Sequence, residues 1–278
     1  MRAGSFAGKA RTQTQIAISA DAASWFLQGA SPDLRLQIEA APELHPRAGS
    51  RNSPIAGVLL PSADLDQITG LLSLRELQPF RVYCTSSVRR ILRDQNTVFG
   101  MLNRVPNQVE WCEFKVGDSF SLSTNEHAIR CEAVSLGTRF PAYVMKPDTL
   151  LAHEATVGFV MTSPNGKRMA FLPAVPSIDG RLLELLSTVD VLLFDGTFWS
   201  EDELVRVQGA GATASEMGHV TVSGEEGSLR KLARLQRPRK IFVHVNNTNP
   251  MLDESSDEYR QVRDAGWEIA EDGWRLDL

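Results

Sequence analysis

The sequence predicts an α/β protein with α+β character, a four-layer αββα sandwich in which two β-sheets pack face to face and helices cover their outer sides. Three observations lead there. Short apolar runs rich in Val, Ile, Leu and Phe are mixed with helix-patterned segments in both halves of the chain. Asn165-Gly166 separates two such runs, the signal of a β-hairpin. Several runs end in aspartate, histidine or asparagine, at the strand tips where α/β proteins place ligands.

Residues 15–19 and 25–27 read as short strands around the turn-like Asp21-Ala22. Ser31-Pro32 then opens a helix through Glu39, with serine as N-cap and proline at the first helical position. Residues 55–60 form a buried strand that stops at Pro61 and leads into Ser62-Ala63-Asp64-Leu65-Asp66-Gln67. Residues 81–84 are another strand, after which Ser86 or Ser87 caps a helix with Val88, Ile91 and Leu92 on one face. Strands follow at 109–114, 120–122 and 128–134, and at 156–161 and 168–172 around Ser163-Pro164-Asn165-Gly166. Downstream come a short helix at 181–186, a buried strand at 189–194 ending in Asp195-Gly196-Thr197, and an amphipathic helix at 223–235. A strand at 239–243, a helix at 255–265, a strand at 267–270 and a hairpin-like close at 271–276 complete the pattern. Gly209-Ala210-Gly211-Ala212 reads as a loop covering a site. No Pro/Gly/Ser-rich linker separates the halves, so residues 1–278 are expected to form a single domain.

A hydrophobic content of 42% with 23% charged residues is ordinary for a globular chain of 278 residues. A net charge of −5 argues against nucleic acid as main partner, since neutralising phosphates needs clustered Lys and Arg. No apolar run reaches the ~18 residues of a membrane-spanning helix, and Arg2, Lys9 and Arg11 precede no apolar signal region. The expected location is therefore the cytoplasm. Cys84, Cys112 and Cys131 are distant from one another and lie in or beside strands, as small core residues rather than a disulfide framework or thiolate zinc site.

The densest polar cluster is Phe242-Val243-His244-Val245-Asn246-Asn247-Thr248-Asn249-Pro250, an apolar strand delivering one histidine and three amides at its carboxyl end. Left unpaired in an apolar interior, such groups would cost roughly 1–3 kcal/mol each, so something must hold them. Either a ligand does, or His244 bonds a neighbouring loop while the asparagines form Asx-turns. Asp64, Asp66, Gln67, Asp195, His219 and His244 occupy separate strand ends, the way a metal cavity between two sheets is assembled. Carboxylate and imidazole without thiolate suit iron, manganese or zinc, for oxygen activation or metal-assisted hydrolysis. Equally, Asp64 and Asp66 can serve a helix N-terminus, and Asp195 a turn.

His244-Val245-Asn246-Asn247-Thr248-Asn249-Pro250, Met217-Gly218-His219 with Ser223-Gly224, and Asp195-Gly196-Thr197-Phe198 resemble the signature blocks of the PqqB family. These are the pyrroloquinoline quinone (PQQ) biosynthesis B proteins of the metallo-β-lactamase fold superfamily. Similarity extends in order over nearly the whole chain, through Arg11-Thr12-Gln13, Ala30-Ser31-Pro32-Asp33-Leu34-Arg35, Gly70-Leu71-Leu72-Ser73-Leu74-Arg75-Glu76 and Val82-Tyr83-Cys84-Thr85. The resemblance implies the metallo-β-lactamase-like αββα sandwich, with a metal at the strand ends. It implies an iron- and O2-dependent hydroxylase of the tyrosine ring in a peptide-derived glutamate–tyrosine precursor, or a carrier moving PQQ or that precursor toward the periplasm. Other PQQ-biosynthesis proteins are implied as partners, and metal-dependent hydrolysis is a lesser alternative.

Two departures from the family bear on chemistry. Its members open with a strand and a cysteine cluster for a structural zinc, whereas this chain starts at Met1-Arg2-Ala3-Gly4, so neither that first strand nor a structural zinc is expected. Gln67 stands where the family has histidine after the aspartate Asp66, replacing an imidazole by a weak neutral ligand. On this reading Asp66, Asp195 and His244 hold Fe(II), or zinc or manganese, with Gln67 as a weak fourth ligand. His219 contacts substrate as acid or base, or hydrogen-bonds the ligands, in preference to binding the metal. Asp64, Asn246, Asn247 and Asn249 orient substrate or support the ligands. His45, His127 and His153 read as surface or structural, and Trp199 as pocket wall or core.

Overall fold

Successive residues of a β-strand face opposite sides of the sheet, and the apolar strands here use that alternation to bury both sides. The computed structural model describes residues 6–47, 52–74, 78–123 and 127–278. Arg75 and Glu76 of the family-like block, and residues 1–4 at the start, lie outside the described residues. The chain divides into two compact units, one of residues 12–166 and one joining residues 167–278 to the N-terminal segment up to Arg11.

The contiguous unit carries a five-stranded sheet in the order β1-β2-β3-β4-β5. Its strands are β1 (Ile16–Ile18), β2 (Trp25–Gln28), β3 (Ile55–Leu59), β4 (Phe80–Cys84) and β5 (Val109–Glu113). β1 is antiparallel to β2, and the other neighbours are parallel. Leu27, Val58, Val82 and Cys84 share a buried cluster with Leu34, Val88, Ile91 and Leu92 of helices α1 (Leu34–Ala40) and α3 (Ser86–Asp94). The alternate residues turn to a second sheet, the antiparallel β6 (Ser119–Ser123), β7 (Ala128–Gly137) and β8 (Thr156–Thr162). Tyr83 stacks on Phe120 at 5.7 Å, Phe120 on Phe114 at 4.9 Å, and Phe114 meets Phe159 edge-on at 5.7 Å. This is the expected mixed α/β sandwich, with paired sheets and flanking helices.

Between β3 and β4 lies the short α2 (Leu65–Ile68), tied to the end of β2 by backbone hydrogen bonds. Ala30 N donates to Gln67 O at 2.7 Å and Gly70 N to Ala30 O at 2.8 Å. A Cβ on Gly70 would stand 2.2 Å from the Ser31 carbonyl oxygen, so only glycine permits this approach. Gly70→Ala is expected to destabilise the fold by about 1–3 kcal/mol through overpacking against backbone. Urea unfolding reads this as a lowered midpoint at unchanged slope.

The second unit is built on parallel β9 (Arg168–Leu172), β10 (Val191–Asp195), β11 (Arg239–Val243) and β12 (Trp267–Ile269), in the order β9-β10-β11-β12. Around it lie α4 (Gly180–Leu186), α5 (Glu203–Gln208), α6 (Ala214–Met217), α7 (Ser228–Lys231) and α8 (Asp257–Asp264). Trp267 stacks on Phe242 at 4.1 Å and meets Phe194 edge-on, so β10, β11 and β12 share an aromatic core. Residues Ala7 to Arg11 join this unit: Glu254 N donates to Ala7 O, Lys9 pairs with Glu271 at 2.6 Å, and Arg11 Nε donates to Ala270 O.

Strand positions follow the sequence reading closely, and the corrections concern helix ends. Helix α1 starts at Leu34 with Asp33 at its N-cap, and Ser31 Oγ instead accepts from Asp33 N in the preceding turn. Thr85, rather than Ser86 or Ser87, caps α3 by accepting from Val88 N. The helix expected over 223–235 shrinks to α7, because Gly224 sits at φ +90° and a Cβ on Gly227 would collide with Ser223 O at 2.1 Å. The closing hairpin is a turn alone, with Trp274 N donating to Glu271 O and no strand after it. Residues 209–212 connect α5 and α6, two helices the hydrophobic pattern did not announce. Cys84 and Cys131 are buried, Cys112 is half-buried, and all three are free thiols. Among the described residues no helix is long and apolar enough to cross a membrane.

Candidate metal centre

Parallel strands β10 and β11 run in register with Asp195 opposite Val243, so the next residue, His244, emerges beside the Asp195 tip. β10 is buried throughout and β11 from Lys240 onward, which leaves the polar groups of the tip to satisfy one another. His244 has φ +55°, left-handed backbone uncommon outside glycine. Asn249 fixes the loop beyond it: Nδ2 donates to Gly196 O at 2.9 Å, and Oδ1 accepts from Met251 N at 3.0 Å. His219 arrives from the loop after α6, which a Thr213–Glu216 capping box starts and Gly218 at φ +87° ends.

Asp195 is wholly buried and accepts four hydrogen bonds. Oδ1 takes Thr197 N at 3.0 Å and Thr197 Oγ1 at 2.6 Å, while Oδ2 takes Val175 N at 2.8 Å and His219 Nδ1 at 2.7 Å. Burial alone would push this carboxyl up, but the His219 and His244 imidazoles and the hydroxyl of Thr197 together hold it below the ordinary aspartate range. The two imidazoles stack at 5.4 Å, and Phe198 meets His219 edge-on at 5.8 Å.

Among the described residues, Asp195, His219 and His244 form the one group of three donors, with one ligand atom from each lying within 4.8 Å of the others. A carboxylate with two imidazoles and no thiolate suits zinc, iron or manganese. The residue set therefore fits a divalent metal. His219, read from sequence as a substrate contact or a group that hydrogen-bonds the ligands, lies within this group and bonds Asp195 Oδ2 through Nδ1.

Asp66 and Gln67 belong to the other unit, side by side on α2, where Gln67 Nε2 donates to Asp66 Oδ2 at 2.6 Å. Gln67 Oε1 is buried without a hydrogen-bond partner among the described residues. A Cβ on Gly29, which has φ +76°, would come within 2.5 Å of that oxygen. Asp64 occupies the N-cap position of α2 and accepts from Ser62 Oγ at 2.6 Å, while Asp66 lies in the first turn, the helix-terminal alternative raised by the sequence.

The amides are largely committed to the fold. Asn246 Nδ2 donates to Thr248 Oγ1 at 2.8 Å and its Oδ1 accepts from Asn247 N, Asn247 is exposed, and Asn249 is 1% exposed and bonded at both ends. Two contributors went unassigned in the sequence reading. Thr197 was quoted only as part of the Asp-Gly-Thr block, although a hydroxyl two residues after a strand-tip aspartate is placed to bond it. Glu203 gave no sequence signal; it is buried, accepts from Trp199 N at 2.6 Å and from Thr248 Oγ1, and so ties α5 to the loop after His244. Burial pushes the Glu203 carboxyl up. His127 and His153 are exposed, as expected, and His45 is half-buried against Glu39 O.

Residues 24–245 match the Beta-lactamase superfamily domain. Coenzyme PQQ synthesis protein B of Methylobacterium sp. (strain 4-46) is 40% identical over 272 residues, covering 97% of this chain and 89% of that protein. The protein of the same name from Gluconacetobacter diazotrophicus is 38% identical, covering 99% and 90%. The crystal structure of Zn(2+)-bound PqqB from Methylobacterium extorquens superposes with a TM-score of 0.91 at 36% identity, covering 100% of this chain and 91% of that one.

Proposed function

Because the chain belongs to the PqqB family of the metallo-β-lactamase fold superfamily, we propose that it acts in PQQ biosynthesis as a metal-dependent oxygenase. The substrate in this reading is a peptide-derived glutamate–tyrosine precursor, hydroxylated on its tyrosine ring. The observation that carries it is the Asp195–His219–His244 donor group at the ends of β10 and β11, with Asp195 and His219 buried and His244 half-buried. These three residues would hold the metal, Fe(II) there would supply dioxygen activation, and zinc would supply Lewis acidity instead.

The chain's own residues prepare the centre in three ways. Asp195 holds His219 through Nδ1, fixing the ring's plane before any ligand arrives. Asn249 and the Glu203–Thr248 contact hold the loop after His244, so the imidazole needs no reorganisation on binding. The apolar Phe198 beside His219 and the buried strands behind Asp195 keep water from the carboxylate.

Elemental analysis of protein purified without chelator comes first. Anaerobic Fe(II) reconstitution and exposure to oxygen with a glutamate–tyrosine precursor then follow, read by mass spectrometry. Addition of oxygen to the tyrosine ring, lost in His244→Ala, is the expected result. Precursor binding that persists in His244→Ala with no oxygen incorporated would replace the oxygenase with a carrier. Ester or phosphodiester turnover with zinc or manganese would replace it with a hydrolase.

A further inference from the structure

Arg11 opens the Arg11-Thr12-Gln13 block, which the donor group leaves unused. Its segment is pinned at three points. Glu254 N donates to Ala7 O at 2.6 Å, a Cβ on Gly8 would stand 2.4 Å from Leu252 O, and Lys9 Nζ pairs with Glu271 at 2.6 Å. Residues 7–11 therefore bridge the chain just beyond Asn249 and the end of β12. Arg11 closes this bridge and is half-buried: its Nε donates to Ala270 O at 2.7 Å and its Nη1 to Lys9 O at 3.1 Å. Both acceptors are neutral main-chain carbonyls, so the planar fork is held in one orientation while its charge goes unmatched. No carboxylate among the described residues pairs with Arg11, and its Nη2 makes no hydrogen bond there. Two other cations of this unit differ, Lys9 being matched by Glu271 and Arg206 by Asp202. A guanidinium has five N–H donors and keeps its proton, so the charge and the unspent donors persist at any working pH.

The place of this fork follows from strand register. β12 runs parallel to β11 with Phe242 opposite Ile269, and Ala270 N donates to Phe242 O at 2.9 Å. Ala270 thus ends β12 on the rim of the sheet where His244 leaves β11 and Asp195 ends β10. With about 4.8 Å between neighbouring strands, the tip of β12 lies roughly 10 Å along that rim from the tip of β10. A two-residue substrate, at about 3.5 Å per extended residue with its side chains beyond, spans the gap from a ring at the donor group to a carboxylate at Arg11.

We propose that Arg11 is a substrate-binding residue that takes a carboxylate of the glutamate–tyrosine precursor through the guanidinium donors its main-chain bonds leave over. Carboxylate oxygens match the spacing of such a fork, and a charge-assisted bond is stronger than one between neutral groups. The identity of the carboxylate rests on the precursor reading above, whereas the anion-binding role of Arg11 does not.

The test uses the full chain as purified and two probes read by isothermal titration calorimetry: the dipeptide Glu-Tyr, and Gln-Tyr amide, in which both carboxylates are replaced by amides. Wild type is expected to bind Glu-Tyr about 10–100-fold more tightly than Gln-Tyr amide, the scale of a charge-assisted hydrogen bond. Arg11→Gln is expected to abolish that preference by weakening Glu-Tyr alone. Arg11→Lys keeps the charge without the fork and should fall between the two; it also reads the fork if Arg11→Gln does not fold. Equal weakening of both peptides in the variants would make Arg11 a structural tie to Ala270 and overturn the proposal. A wild type that binds Glu-Tyr no better than the amide, or binds neither, would overturn it too. Oxygen incorporation after Fe(II) reconstitution separates this role from the oxygenase reading. Charge-selective binding that is lost in Arg11→Gln, with no oxygenation in wild type, would sink the oxygenase and leave Arg11 standing. Oxygenation at the wild-type KM in Arg11→Gln would sink the role of Arg11 and leave the oxygenase.

Discussion

Asp195→Ala is expected to lose about 3–5 kcal/mol of folding stability, the scale of breaking a buried hydrogen-bonded pair by removing one partner. The carboxylate is wholly buried, and four donors converge on it: Val175 N, Thr197 N, Thr197 Oγ1 and His219 Nδ1. Truncation strands them all around a buried position. Urea unfolding measures the loss, and zinc titration of the same variant is expected to show no binding at this centre. A loss under about 1 kcal/mol, no more than one ordinary hydrogen bond, would mean that the site relaxes around the missing group. Acid dependence has a defined sign. The folded Asp195 carboxyl lies below its usual value of ~3.9, so its contribution is complete above that pH and fades as the pH falls through the lower folded value. Asp195→Asn should flatten this acid limb.

Trp267→Ala is the second large effect, about 3–5 kcal/mol for deleting a buried aromatic. Trp267 is 1% exposed, stacks on Phe242 at 4.1 Å with an 11° tilt, and meets Phe194 edge-on at 6.2 Å. The Lys240 ammonium lies 5.6 Å from the ring centroid, and burial lowers its proton affinity. Phe242 is two residues from His244, so a collapsed packing partner on β12 should reach the metal centre as well as the core. Trp267→Phe separates the contributions: the indole Nε1 is buried without a hydrogen-bond partner among the described residues, so ring size is lost and no hydrogen bond. Chemical denaturation should rank wild type above Trp267→Phe and Trp267→Phe well above Trp267→Ala; equal losses would make something other than ring packing responsible.

Much of this architecture could be read before any coordinates. Strand periodicity placed β3, β4, β9, β10 and β11 to within two residues, because runs such as Val191-Leu192-Leu193-Phe194 are buried on both faces and tolerate nothing polar. Helix ends were harder. Whether Ser31, Asp33, Thr85 or Ser86 caps a helix depends on where the preceding strand delivers the chain, and neighbouring hydroxyls and carboxylates compete for the same backbone donors. Asp195 and His244 stood out as strand-tip residues. Their joining by His219 did not, since that contact is made across 24 residues by a loop whose course is set by Gly218 and a hydrogen bond from Val220 N to Val175 O. Gln67 stands out for departing from its family, yet its bond to the neighbouring Asp66 is an i,i+1 contact that helix spacing does not announce.

The segment from Ala7 to Arg11 is synthesised well before its partners Glu254, Ala270 and Glu271. Residues 12–166 have every one of their own contacts available once Gly166 has left the exit tunnel. The discontinuous unit must hold its leading segment in reserve until those partners have been made. Assembly during translation is therefore ordered, the inserted stretch being able to close before the enclosing one.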